Sequence, residues 1–198
     1  MRSSKMNGYI GNFDSSFLSV DKDIESIIRK LFVDSKPHSE ELKRLLVINT
    51  EDCLRDRTNP KYLEKIKSMT VDKLIKDGYV RIVPKIERGE NQEEQTYIVI
   101  SFDNFSPNDS NPYYRDCTVM IDILCHPDHW YLGNYQLRPI KIAGYIDGIL
   151  NGSRLSGIGT FQFMGCNELI LQNDLCGYCL VYSATHGVDD AIPRGENE

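Results

Sequence analysis

Four residues able to bind a soft metal or move a proton fall within five positions of one another: Cys125, His126, Asp128 and His129, in the segment CHPDH. A second thiol pair, Cys176 and Cys179 in CGYC, follows about fifty residues later. Structural zinc centres place ligands two to four residues apart on tight turns, in two matching pairs. Here Cys125 and His126 are adjacent at the end of a strand-like run, so their side chains leave on opposite faces. Cys176 and Cys179 are three apart, which in extended chain also separates them. Pro127 could turn His126 towards His129, and Gly177 leaves a turn open at the second pair. The spacing favours a plainer reading, in which Cys125, Cys166, Cys176 and Cys179 are small apolar fillers of a reduced core and no metal or other cofactor is bound. A zinc- or cysteine-dependent enzyme or binding domain using CHPDH and CGYC is the alternative.

Other chemistry is weakly signalled. A nucleophilic Cys125 served by His126 or His186 would need an oriented base, an oxyanion hole and a lowered thiol pKa. Nothing signals a nucleophile elbow, and the expectation is a protein that is not an enzyme. NGSRLSGIG lacks the phosphate-loop pattern and precedes a strand rather than a helix. Asp122, Asp128 and Asp147 form no evident carboxylate pair, and Asp103, Asp109 and Asp116 sit in or beside a polar loop. His38 and His186 read as surface or structural residues. Trp130, Tyr131 and Tyr135 stand beside Arg138, and aromatics with arginine are the types enriched in interface cores. They could form a contact patch, or belong to a loop folded onto its own domain.

The elements that must position these residues begin with DKDIESIIRKLFVD (21–34). There Ile24, Ile27, Ile28, Leu31 and Phe32 repeat at helical spacing, with Ser19 or Asp21 as cap and Pro37 as terminator. Helices are expected at about 39–46, 60–69 and 70–78, the last capped by Thr70 and stopped by Gly78. The period then changes to two. Runs at 79–87 and 96–105 read as a hairpin, with Pro84 marking an edge or bulge. CTVMIDILCH (117–126) sends Val119, Ile121, Ile123 and Cys125 to one face. RPIKIAGYIDGIL (138–150) reads as a helix with Pro139 in its first turn and Ile140, Ala143, Ile146, Asp147 and Leu150 near one face. A glycine-rich stop follows, then two strands joined near 172–174. The pattern predicts an α+β domain: a mainly antiparallel sheet covered by two helices on one face. It has an extended arm at 1–18, a single domain over 19–190 with a helical insertion at 35–78, and a tail at 191–198.

Composition narrows the role. The chain has 198 residues, 29 acidic against 23 basic, and a net charge of −6. That argues against affinity built on phosphate neutralisation, while suiting a surface past which DNA slides. No apolar run approaches a membrane span, and the N-terminus lacks the apolar core of a signal peptide. The expected place of synthesis is a reducing cytoplasm, with the cysteines as thiols.

The stretch VMIDILCHPDHWYLGNYQLRPIKIAGYIDGILNGSRLSGIGTFQFMGCNELILQNDLCGYCLVYSATHG resembles the head-to-tail connector and tail-terminator proteins of tailed bacteriophages, most closely the neck ring proteins of crAss-like phages. The resemblance rests on a strand with Ile121 and Ile123, a variable polar loop, and an Arg-led helix with Arg138, Ile142, Ile146, Asp147 and Leu150. A glycine turn with Gly157 and Gly159 comes next, then closing strands with Phe161, Tyr182 and Gly187. It covers roughly residues 117–187. What it implies is a structural virion subunit, assembled in the host cytoplasm as a homo-oligomeric ring, usually of six or twelve copies, between portal and tail. Its partners would be adjacent portal, connector or tail proteins. DNA would pass through the lumen without sequence-specific binding, and no membrane is involved.

Overall fold

A computed structural model describes residues 20–82, 95–110, 114–155, 158–171 and 175–186. The predicted arm, the tail, Ser19, Pro84, Gly157 and Gly187 lie outside them. The architecture is α+β, and its principal sheet is mainly antiparallel.

Helix α1 (Val20–Arg29) runs on through a wider turn to Asp34. As the spacing of its isoleucines dictates, Ile27, Ile28, Leu31 and Phe32 are buried together. Three further helices follow: α2 (His38–Val47), α3 (Pro60–Ser68) and α4 (Val71–Lys76). Asn59 and Thr70 cap α3 and α4 by accepting from the amides of Lys61 and Lys73, which satisfies donors that the first turn of a helix leaves orphaned. Gly78, at φ +80°, ends this helical region.

The strands are β1 (Val80–Arg81), β2 (Tyr97–Pro107) and β3 (Arg115–Cys125), followed after helix α5 (Arg138–Leu150) by β4 (Arg154–Leu155), β5 (Gly159–Thr160), β6 (Gln162–Leu171) and β7 (Leu175–His186). The main sheet has the order β1-β2-β3-β7-β6, while β4 and β5 form a small separate ladder. The expected hairpin at 79–87 and 96–105 is not what forms among the described residues. Val80 and Arg81 pair in parallel with Ile98 and Val99. Alternating hydrophobicity signals extended chain but carries no information on strand direction.

One sheet face presents Ile98 and Ile100 of β2, Cys117, Val119, Ile121 and Ile123 of β3, and Leu180, Tyr182 and Ala184 of β7. All pack in a single core with the inner faces of α1, α2 and α5. Each of the isoleucine, leucine and valine side chains among them stabilises the fold by roughly 1.5–3 kcal/mol through burial. Helix α5 is rotated from the expected setting. Its buried stripe is Arg138, Pro139, Ile142, Ile146, Ile149 and Leu150, while Ile140 is exposed. Arg138 must be sealed at the helix start, and that anchor turns Ile140 outward. The opposite sheet face carries a smaller cluster of Tyr97, Val99, Leu124 and Leu175, with the Arg81 guanidinium over the Tyr97 ring at 3.9 Å.

Two positions show how tightly the sheet is drawn. A Cβ on Gly177 would stand 1.7 Å from the Ile123 carbonyl oxygen, so only glycine lets β7 approach β3 there. Gly159, at φ +73°, would bring a Cβ within 3.0 Å of the Thr185 carbonyl.

Candidate functional site

Arg138 is the largest fully buried side chain of the described residues. Its Nη1 donates to the carbonyls of Leu45 and Ile48, both at 2.7 Å, and its Nη2 to that of Thr50 at 2.8 Å. Its Nε donates to the His129 carbonyl at 2.7 Å, and its backbone N–H to that of Trp130, also at 2.7 Å. Helix α2 ends at Val47, so the carbonyls of Leu45 and Ile48 belong to a terminus whose last oxygens lack helical partners. The negative end of the helix dipole faces the guanidinium and offsets part of its desolvation. Lys65 of α3 adds a second cation there, donating from Nζ to the Val47 carbonyl at 2.9 Å. Arg138 thus ties the end of α2, the 48–53 turn and the 129–130 chain to the first residue of α5. Its guanidinium is used up inside the chain and lies on no surface.

The loop that Arg138 holds is framed by backbone. The Leu132 N–H donates to the Gln136 carbonyl, Gln136 N–H to that of Gly133, and Tyr131 bridges Leu137. Leu132 is buried in the core, and its carbonyl accepts from Arg55 Nη2 at 3.2 Å. Gly133, Asn134 and Tyr135 all have positive φ, at +71°, +50° and +60°. For a tyrosine this left-handed conformation is uncommon and strained, yet the side chain it carries is 94% exposed. Tyr131, Leu137 and Ile140 are exposed beside it. Trp130 behaves differently. It is half-buried, donates from Nε1 to the Cys125 carbonyl at 3.3 Å, and stacks on Tyr178 with ring centroids 6.4 Å apart. Of the four residues singled out in the sequence, Tyr131 and Tyr135 present their rings outward, Trp130 folds largely onto its own domain, and Arg138 is internal.

CHPDH and CGYC do not converge as a ligand set. Cys125 turns inward, 3.2 Å from Thr96 Oγ1, and burial raises its thiol pKa to about 11. His126 leaves on the other side, where its Nδ1 accepts from the Asp128 N–H at 3.3 Å and its ring lies 6.0 Å from that of His129. Cys176 is the cross-strand neighbour of Cys125. Cys179 points to the opposite sheet face, its thiol raised to about 12 by burial and then by Asp122. Among the described residues no group of three or more His, Cys, Asp or Glu side chains could hold a metal ion. Cys125 and Cys179 fill core as expected; Cys166 does not. It is exposed on β6.

Sequence reasoning missed the exposed apolar residues of β6: Phe163, Met164 and Ile170. QFMGCNELIL has no clean alternation, since a bulge between Phe163 and Gly165 breaks it. Two positions of the resembled pattern do meet in space, Tyr182 donating from its hydroxyl to Asp147 Oδ1 at 3.2 Å. Burial, with Asp147 beside it, pushes the Tyr182 hydroxyl pKa up.

Fold and loop together define an α+β domain whose helical layer and sheet meet at a rigid junction displaying aromatic side chains. The chain belongs to the YomW family, whose profile matches residues 39–184; the family is phage-derived, typified by YomW of Bacillus phage SPBc2. The match runs from α2 to the end of the sheet, and it makes this a phage-associated protein. No curated protein matches the chain. Among the described residues no helix is long and apolar enough to cross a membrane.

Proposed function

We propose that the protein is a non-enzymatic structural subunit of the phage particle, one copy in a closed homo-oligomeric ring of the head-to-tail connector. The junction at 131–140 docks against an adjacent portal, connector or tail protein. The observation that carries this reading is Tyr135: a strained left-handed backbone holds its ring in solvent, and strain of that kind persists where the surroundings over-determine it for a use. Tyr131, Leu137 and Ile140 extend the same surface, and rigid aromatic rings anchor interfaces at low entropic cost. The net charge of −6 suits a channel wall that repels the DNA backbone while the genome moves through.

Electron microscopy of virions with antibody labelling, combined with native mass spectrometry of the purified protein, tests it. The expected result is label at the neck and a closed ring from the native protein or from particles. Changing Tyr131 and Tyr135 together to Ala should leave the fold intact and block attachment of the adjoining ring. Absence from virions, or particles that assemble normally with the double variant, overturns the proposal.

A further inference from the structure

CHPDH and CGYC each bring one thiol to the same rung of the sheet. Cys125, the last residue of β3, stands directly opposite Cys176, the second residue of β7, in the antiparallel ladder. Residues so opposed lie about 4.5–5.5 Å apart at Cα and send their side chains to one face. Here it is the face of Ile121, Ile123, Leu180 and Tyr182. A disulfide asks for Cα atoms about 4.4–6.8 Å apart and Cβ atoms about 3.5–4.5 Å apart. The strands are drawn together at this point, since Gly177, next to Cys176, brings the β7 backbone against the Ile123 carbonyl. Burial is the main cause of the raised Cys125 pKa, and the neighbouring Cys176 thiol adds to it, so the two groups sense each other. Among the described residues no other two cysteines face across a ladder. Cys117 stands opposite Ala184 and Cys166 opposite Leu180, Cys179 lies between Asp122 and Asn167, and Cys53 is in no strand.

We propose that Cys125 and Cys176 are a redox pair, which closes to a cross-strand disulfide when the protein meets a small-molecule disulfide such as glutathione disulfide. Cys176 is half-buried and is the thiol a reagent reaches, whereas Cys125 is sealed and is reached only by Cys176. The Cys176 thiolate attacks one sulfur of the oxidant. The oxidant's S–S bond breaks, and one glutathione leaves as a thiolate and takes up a proton. A turn about χ1 then carries the Cys125 sulfur from Thr96 Oγ1, where it lies at 3.2 Å, towards Cys176. Its proton passes to solvent, it attacks the Cys176 sulfur, and the second glutathione leaves in the same way. Two protein thiols are oxidised and one disulfide is reduced to two thiols. Because Cys125 holds its proton up to about 11, this second step is slow at neutral pH and quickens as pH rises. A reducing compartment keeps the pair open. Once closed, the bond pins the strand end from which the aromatic loop departs. There the Trp130 indole already donates to the Cys125 carbonyl and stacks on Tyr178, two residues beyond Cys176.

The pair stands apart from the connector reading, which is judged on virions. The test takes the full chain, reduced and then incubated with glutathione disulfide at about pH 8.5, where thiol exchange is brisk. Remaining thiols are blocked with N-ethylmaleimide and the peptides mapped by mass spectrometry. In most chains the peptides carrying Cys125 and Cys176 should be joined, lighter by two hydrogens than the two apart, at a yield unchanged when the protein is diluted tenfold. Cys125→Ser should stop at a glutathione adduct on Cys176, and Cys179→Ser should close as the native protein does, with circular dichroism confirming that both variants keep the fold. A native protein left with a lasting adduct on Cys176 or with both thiols unreacted overturns the proposal. So does a bond from Cys176 to Cys179, or a yield that falls on dilution.

Discussion

Asp23 Oδ2 stands 2.5 Å from His186 Nδ1, and both side chains are sealed from solvent. The contact joins the first turn of α1 to the last residue of β7, elements from the two ends of the described chain. Phe105 packs its ring edge against the histidine at 5.9 Å, completing the seal. Removing one partner of a buried pair leaves the other uncompensated, at a cost of about 3–5 kcal/mol. Asp23→Ala and His186→Ala should each lower the urea midpoint markedly. The double variant should be little worse than either single one, and additive losses would show the two groups to be uncoupled.

Arg138 offers a sharper test, since charge and geometry separate. Arg138→Lys keeps the cation but cannot span the carbonyls of Leu45, Ile48, Thr50 and His129 with one ammonium group. We expect a loss of about 2–4 kcal/mol for Lys and more for Leu, each orphaned buried carbonyl costing about 1–3 kcal/mol. Urea denaturation measures it. A lysine variant as stable as the native protein would refute the clamp.

The thiols predict both reactivity and alkaline behaviour. Burial raises Cys117 and Cys179 to about 12 and Cys125 to about 11, from an ordinary 9.0. In the unfolded chain these thiols ionise near 9; in the folded chain they keep their protons. Between about 9 and 12 the folded state therefore binds more protons, and stability falls as pH rises, by up to about 1.4 kcal/mol per pH unit for each thiol. Below 9 the thiols contribute no slope. Urea midpoints at pH 8 and 10 would show the difference. In native protein Ellman's reagent should react first with Cys166, the exposed thiol, and reach Cys53, Cys117, Cys125 and Cys179 only after denaturation.

Gly177→Ala places a methyl group on the Ile123 carbonyl. Because backbone rather than a flexible side chain is in the way, the β3–β7 ladder must part locally. A loss of roughly 2–3 kcal/mol is expected, in the range of other overpacked interior changes. Gly144→Ala, where a Cβ meets nothing within 4 Å, is the control and should stabilise the helix by about 1 kcal/mol.

Much of the fold was legible in residue spacing. The stripe Ile27, Ile28, Leu31, Phe32, the caps at Thr70 and Gly78, and the alternation Val119, Ile121, Ile123 all report local backbone preferences. What escaped was decided at long range. The direction of β1 depends on a partner about eighteen positions away. Ile140 points outward because Arg138 is captured by a helix end that periodicity cannot see. The loop was half-legible for the same reason: Tyr131 and Tyr135 were singled out by type and do expose their rings, but Arg138, grouped with them, is sealed inside the chain. Cys125 and His126, adjacent at the strand end, leave on opposite faces, so CHPDH and CGYC are not gathered into one ligand set.

The Arg138 clamp also has a bearing on timing. Its carbonyl partners at Leu45, Ile48 and Thr50 lie 93, 90 and 88 positions earlier in the chain. Contacts of such sequence separation form late, because the entropy of closing a long loop comes before any reward. The aromatic loop is framed by that clamp, so a growing or half-folded chain holds the loop without its frame. The clamp is then among the later contacts to form, and Tyr131 and Tyr135 take their fixed, exposed places only after it.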